Sequence, residues 1–297
     1  MIDVWQTLES AFPRIVGEFR EAEANIAKHP IEDITNWRRM MDFALFGKQP
    51  INGKIITETL SRRAYMNPVA MEAEFTSLAE QDFAQKQDDG TFIATDNGTS
   101  VYLDYEKARM TAFSQVQLLS DEDFNQLIAF LQKGYEQAKS AERPKQKPSM
   151  AIGYNFYTSL AEMGGQLGGL LGWINLFELY RDDVHASVWK NVGFTGVQME
   201  VFTQLWHGEN YNASKLAEKL AYRGYIEADY QIVLDELDES QLVTQTDDTY
   251  TLTDKGRELR QSIETHTERI FNRFCEMTFS EDEANEFANI IDRLKNS

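Results

Sequence analysis

The same set of marks occurs twice along this chain, and that recurrence limits its fold more than any other feature. In the second half, Asn212-Ala213-Ser214-Lys215-Leu216-Ala217-Glu218-Lys219-Leu220 predicts a short helix with an Asn N-cap and Leu at i, i+4. A turn through Arg223-Gly224-Tyr225 follows, then a helix from Glu227 to Ser240 with Val233, Leu234 and Leu237 on one side. Leu242-Val243-Thr244 and Thr249-Tyr250-Thr251-Leu252 read as a hairpin around Thr246-Asp247-Asp248. Thr253-Asp254-Lys255-Gly256 then caps a long helix from Arg257 onward. In the first half, Asn52 precedes Ile55-Ile56-Thr57-Glu58-Thr59-Leu60, a turn passes through Met66-Asn67, and Pro68 stands at a first helical position. Phe75, Leu78 and Phe83 match Leu234, Leu237 and Leu242 at one constant offset. Asp88-Asp89 matches Asp247-Asp248, and Thr95-Asp96-Asn97-Gly98 matches the Thr-Asp-Lys-Gly cap. Ser120-Asp121-Glu122-Asp123 and Ser280-Glu281-Asp282-Glu283 open the two closing helices.

Each unit resembles the MarR-type winged helix-turn-helix domain of bacterial regulators. The resemblance rests on the Leu-x-x-x-Leu helix, the second helix ending in Leu242-Val243, the short wing and Leu252-Thr253-Asp254-Lys255-Gly256, and covers about residues 40–135 and 197–295. In that family two chains pair through their terminal helices, so two units in one chain imply a fused pseudo-dimer. From Tyr180-Arg181-Asp182-Asp183-Val184-His185 through Gly193-Phe194-Thr195-Gly196 to the Thr-Asp-Lys-Gly cap, the second half also resembles the SalK-like proteins, which are tandem winged-helix chains. The expected fold is mainly α with small β-wings: tandem winged-helix (MarR-like) repeats around a central bundle of long helices. Length agrees, since 297 residues suit two domains of roughly 150 each. The polar, twice-proline-broken stretch 142–149 divides an N-terminal unit (1–141) from a C-terminal one (150–297).

Charge argues against the activity the architecture suggests. The net charge is −19, with 17 basic against 23 acidic residues up to residue 149 (−6) and 12 against 25 after it (−13). Duplex DNA is a dense polyanion, and neutralised phosphates supply most non-specific affinity. The helix from Glu227 to Ser240 carries Glu227, Asp229, Asp235, Glu236, Asp238 and Glu239 and no base. Its counterpart from Pro68 to Phe83 carries Glu72, Glu74, Glu80 and Asp82, again with no base. Carboxylates can accept from cytosine but cannot hold phosphates, which set register. The bland reading of either helix is a solvated face. DNA contact would have to come from Lys54, Arg62, Arg63, Lys215, Lys219 and Arg223. For Arg62-Arg63 the competing reading is a cation pair at a helix C-terminus.

Between Met150 and Trp206 the composition changes. Gly164, Gly165, Gly168, Gly169 and Gly172 lie among Leu167, Leu170, Leu171, Trp173, Ile174, Leu176 and Phe177. Each Gly in a helix interior costs roughly 1 kcal/mol against Ala, so something must offset them. Close helix packing, room for a ligand, or a membrane span are the alternatives, the last interrupted by Glu162, Gln166, Asn175 and Glu178. Arg181-Asp182-Asp183-x-His185 then reads either as a turn in which an Asp caps the next helix, or as the polar floor of a pocket. That pocket would be lined by Tyr154, Phe156, Tyr157, Trp173, Phe177 and Trp189, with Arg181, Asp183 and His185 beneath. An enzyme on this frame would rest only on Arg181, Asp183 and His185. His207 and His266 lack ligand spacing, and His29 reads as a loop residue before Pro30, so no metal and no cofactor is expected.

The lone Cys275 and an N-terminus without a basic, apolar leader lead to the expectation of a cytoplasmic location. The functional expectation is a regulatory or binding protein that has lost DNA contact and holds a small apolar or aromatic ligand or a protein partner. The alternative is a DNA-binding regulator of MarR type. No membrane contact is expected, and the chain would be a monomer with an internal pseudo-dimer, or a homodimer.

Overall fold

The computed structural model describes residues 3–24, 26, 34–208 and 210–296; His29 and Pro30 lie outside them. In chain order the helices of the first half are α1 (Val4–Glu9), α2 (Phe12–Ala24), α3 (Ile34–Phe46), α4 (Gly53–Thr59), α5 (Pro68–Glu80), α6 (Asp96–Phe113) and α7 (Asp121–Ser140). The strands β1 (Ala84–Lys86) and β2 (Phe92–Ala94) lie between α5 and α6. Two central helices follow, α8 (Pro148–Met163) and α9 (Gly165–Asn191). The second half adds α10 (Gly196–Trp206), α11 (Ala213–Lys219), α12 (Glu227–Glu239), β3 (Val243–Thr246), β4 (Thr249–Leu252), α13 (Asp254–Thr278) and α14 (Glu281–Asn296). Short 3-10 turns, Ser61–Arg63 and Ala221–Arg223, follow α4 and α11. The protein is mainly helical, with two small antiparallel sheets among the described residues.

The segments from α3 to α7 and from α10 to α14 have one element order, built by the same local chemistry. Asn52 and Asn212 cap α4 and α11, accepting from Ile55 N–H at 2.9 Å and Lys215 N–H at 3.0 Å. Thr95 and Thr253 cap α6 and α13, each accepting from a Gly N–H at 3.0 Å. The same two hydroxyls donate back to Asp82 O at 2.6 Å and Gln241 O at 2.8 Å. Asp82 and Gln241 both turn left-handed, at φ 61° and 59°, which ends α5 and α12. The helix expected to run to Phe83 therefore stops at Glu80, and Phe83 N–H returns to Leu78 O at 2.9 Å. Leu242 N–H does the same to Leu237 O at 2.9 Å. Each hairpin gains one outer bridge, Ile51 to Phe92 and Tyr211 to Tyr250.

One apolar cluster surrounds α8 and α9 and takes in residues of α1, α2, α7, α13 and α14. Two smaller clusters fill the repeated segments, around Phe75 and Phe92 and around Leu234 and Tyr250. The glycine run opens α9, and its neighbours explain it. A methyl on Gly172 would fall 2.9 Å from Ala161 Cβ and closer still to the Tyr157 carbonyl of α8. One on Gly169 would meet Phe124 Cζ of α7 at 2.7 Å. Of the three alternatives, close helix packing is what these positions serve. Among the described residues no helix is long and apolar enough to cross a membrane.

Gly172→Ala weighs two opposed effects. Helix propensity alone would gain about 1 kcal/mol, whereas overpacking a close backbone contact costs about 1–3 kcal/mol. The urea midpoint is expected to fall; a rise would show that α8 and α9 are not held together at Gly172.

Candidate functional site

The two repeated segments touch at the turns that lead into α5 and α12. Asn67 N–H donates to Arg223 O at 2.8 Å, and Asn67 Nδ2 donates to Gly224 O at 3.0 Å. Tyr225 O–H donates to Met66 O at 3.1 Å. These bonds satisfy, across the chain, backbone groups that turns ordinarily leave to water. Small residues allow the approach. Gly224 takes φ +80°, and a side chain there would lie 2.5 Å from Ala70 Cβ. Any side chain on Gly196 would overlap the Ala64 carbonyl. Arg223 closes the contact: it pairs with Glu200 at 2.6 Å and lies over the rings of Tyr65 and Tyr222. Burial pushes the Tyr65 phenol upward, next to Trp189, which is itself buried.

This contact fixes how α5 and α12 face the solvent. α12 buries Tyr230, Val233, Leu234 and Leu237, so Ala228, Ile232, Asp235 and Glu239 point outward. α5 buries Met71, Phe75 and Leu78 and exposes Val69, Ala73, Thr76 and Glu80. The outward rows correspond position by position, and each begins apolar and ends acidic. Val69 is 74 % exposed, Ile226 65 % and Ile232 58 %. The sequence alone does not single these residues out. Only the phase of the buried row reveals that Val69, Ile226 and Ile232 fall outside it.

The basic residues singled out for DNA are mostly engaged within the protein. Arg62 pairs with Glu178 and Asp182 of α9, and its Nη1 donates to Asn175 Oδ1 at 2.9 Å. Those carboxylates hold the guanidinium charged and raise its pKa against the opposing effect of burial. Arg63 reaches Asp42 at 3.1 Å, and Arg223 is held by Glu200. Lys219 donates to the Tyr211 hydroxyl and lies 4.8 Å from that ring's centroid. Lys54 is exposed and 3.8 Å from Glu58; Lys215 is exposed on α11.

The residues singled out for a ligand each pack against other side chains of the protein. Tyr154 stacks on Tyr135 with centroids 5.2 Å apart, and Trp173 meets the same ring edge-on. Tyr157 packs edge-on against Phe156, and Phe177 against Phe271. Arg181 lies 4.9 Å over the ring of Trp5. Trp189 lines a cleft of about 260 Å³, beside Met66, Pro68, Phe194 and Tyr225 at the junction. Nor is Arg181–His185 a turn. It lies inside α9, which runs unbroken from Gly165 to Asn191. Asp183 does cap a helix, but a different one. Its carboxylate accepts from Ser149 N–H at 3.4 Å and Met150 N–H at 3.2 Å at the start of α8, and from Ser61 Oγ at 2.7 Å. Burial raises its pKa despite these donors. Among the described residues no group of His, Cys, Asp and Glu is arranged to hold a metal ion.

Residues 159–297, from the end of α8 through α14, match the model of a helix-turn-helix family. The second half of the chain is thus similar to a helix-turn-helix domain. No curated protein and no solved structure matches the chain.

His185, on the buried flank of α9, bonds through Nδ1 to Thr267 Oγ1 at 3.1 Å. Burial, with Arg260 and Arg181 adding to it and Glu264 and Asp182 opposing, lowers its pKa to about 4. A depressed histidine stabilises the fold above its unfolded value of about 6.5, and that stability is lost as pH falls toward 4. His185→Gln keeps a partner for Thr267 and removes the titration. Wild type is expected to lose on the order of 2–3 kcal/mol more than the variant between those two pH values; parallel stability curves would contradict it.

Proposed function

We propose that the chain is a tandem winged-helix regulatory or binding protein, a fused pseudo-dimer of MarR-like and SalK-like kind, that works by contact with a partner rather than with DNA. Its units are 1–141 and 150–297 with 142–149 between them, and its location is cytoplasmic. The observation that carries this reading is the hydrogen-bonded contact of the two turns at Asn67 and Arg223-Gly224. Helix-turn-helix dimers place their reading helices in major grooves about 34–36 Å apart, with the N-terminal residues on the bases. Here the N-terminal ends of α5 and α12 lie against one another, so the two cannot enter successive grooves. Charge supports the same conclusion, since neither helix has a base and both end in carboxylates.

A small ligand is the less supported occupant, because Tyr154, Tyr157, Trp173, Phe177, Arg181, Asp183 and His185 are each engaged by protein partners. DNA binding through Lys54, Lys215 and their neighbours is the second reading, favoured by the helix-turn-helix match. A gel-shift titration against pooled genomic fragments separates the two. At about 50 mM salt, no retarded band is expected at about 100 µM protein, where ordinary non-specific affinity would give one. A band whose affinity falls steeply with added salt would restore the DNA-binding regulator.

A further inference from the structure

Two apolar rows meet at the junction. Val69 and Ala73 open the outward face of α5, and Ala228 and Ile232 occupy the matching positions of α12. Ile226, exposed, lies at the start of α12, two residues past Gly224, whose backbone approaches Ala70. Beyond the apolar stretch each row turns acidic, at Glu80 and Asp82 on one side and at Asp235 and Glu239 on the other, all exposed. We infer that the outward faces of α5 and α12 together form a docking ridge for a cationic amphipathic segment of a partner protein. The inference rests on the reading just given, that these helices do not serve DNA.

Charge complementarity selects this occupant. Large exposed apolar side chains rimmed by polar groups mark a surface that a partner covers. A second copy of this chain would set carboxylates against carboxylates on a molecule of net charge −19. An anionic membrane would repel the same carboxylates. A helix with Leu on one face and Lys or Arg along its flanks would bury Val69, Ile226 and Ile232 and pair its cations with the acidic ends. Its affinity would owe most to the central apolar residues, and rim charges would chiefly set the association rate.

The test is fluorescence anisotropy of the full chain with a labelled synthetic helix, Leu at i, i+3, i+4 and i+7 and Lys elsewhere. Saturable one-to-one binding is expected, weakened at least tenfold by combining Val69→Ser, Ile226→Ser and Ile232→Ser. Leu103→Ser with Met277→Ser, exposed apolar positions elsewhere (57 % and 79 %), is expected to leave affinity unchanged. Circular dichroism melting monitors the fold, and Ile232→Ser alone replaces the triple variant if that one is unstable. The inference is overturned if the peptide does not bind, or if the junction variant binds as tightly as wild type. It is equally overturned if the control variant loses as much as the junction variant. A clean gel-shift result alongside peptide failure would sink the docking ridge and leave the loss of DNA contact standing.

Discussion

The contact between the turns before α5 and α12 decides what the rest of the molecule presents to its surroundings. It is made largely by backbone: an amide of Asn67 on a carbonyl of Arg223, with a side-chain amide on Gly224 and a phenol on Met66 beside it. Buried backbone groups left without partners are costly, so once the turns have docked, separating them means re-solvating all of these groups together. The arginines at the ends of the two 3-10 turns reinforce the arrangement from within. Arg62 ties the first turn to α9, Arg63 ties it to Asp42 near the end of α3, and Arg223 binds Glu200 of α10. Of these cations Arg62, through α9, and Arg223, over the ring of Tyr65, reach across the chain, and Arg63 braces the first turn within its own half.

The long helix α9 makes that docking possible. Its glycine-rich start lets α8 and α7 approach closely, and its last turns bring Trp189 to the junction beside Tyr65. Between these ends, Asp183 joins three parts of the chain by accepting from Ser61, Ser149 and Met150. The carboxylate has two roles at once. It terminates the free amides at the start of α8 and anchors the 3-10 turn that carries Arg62 and Arg63.

What could be read from the sequence was what local chemistry determines. Asn52 and Asn212, Thr95 and Thr253, and Ser120 and Ser280 are caps whose partners lie three residues away, so the repeated element order is legible in the sequence. Arg181-Asp182-Asp183-x-His185 was misread for the opposite reason. In a local window a polar run after an apolar helix looks like a boundary, yet the partners of Asp183 stand 33 to 122 residues away. The packing of the aromatic residues is illegible for a related reason: ring-rich helices give no sign of which faces meet, and Phe177 and Tyr154 pack on Phe271 and Tyr135. The acidity of α5 and α12 was legible, but their outward apolar residues were not, because Val69 and Ile232 matter only once the buried phase is fixed. Nothing in the spacing of Gly196 or Gly224 announced that the two halves would meet there.

The whole arrangement depends on the closeness of α5 and α12. Spin labels on cysteines at Ala73 and Ile232 measure it directly, with the buried Cys275, its thiol pushed well above the ordinary range by burial, left unreactive. A single narrow distance distribution well short of the ~34 Å between successive major grooves is the predicted result. A distribution centred at or beyond that separation would mean that the two turns do not dock, and would return both helices to the spacing that DNA requires.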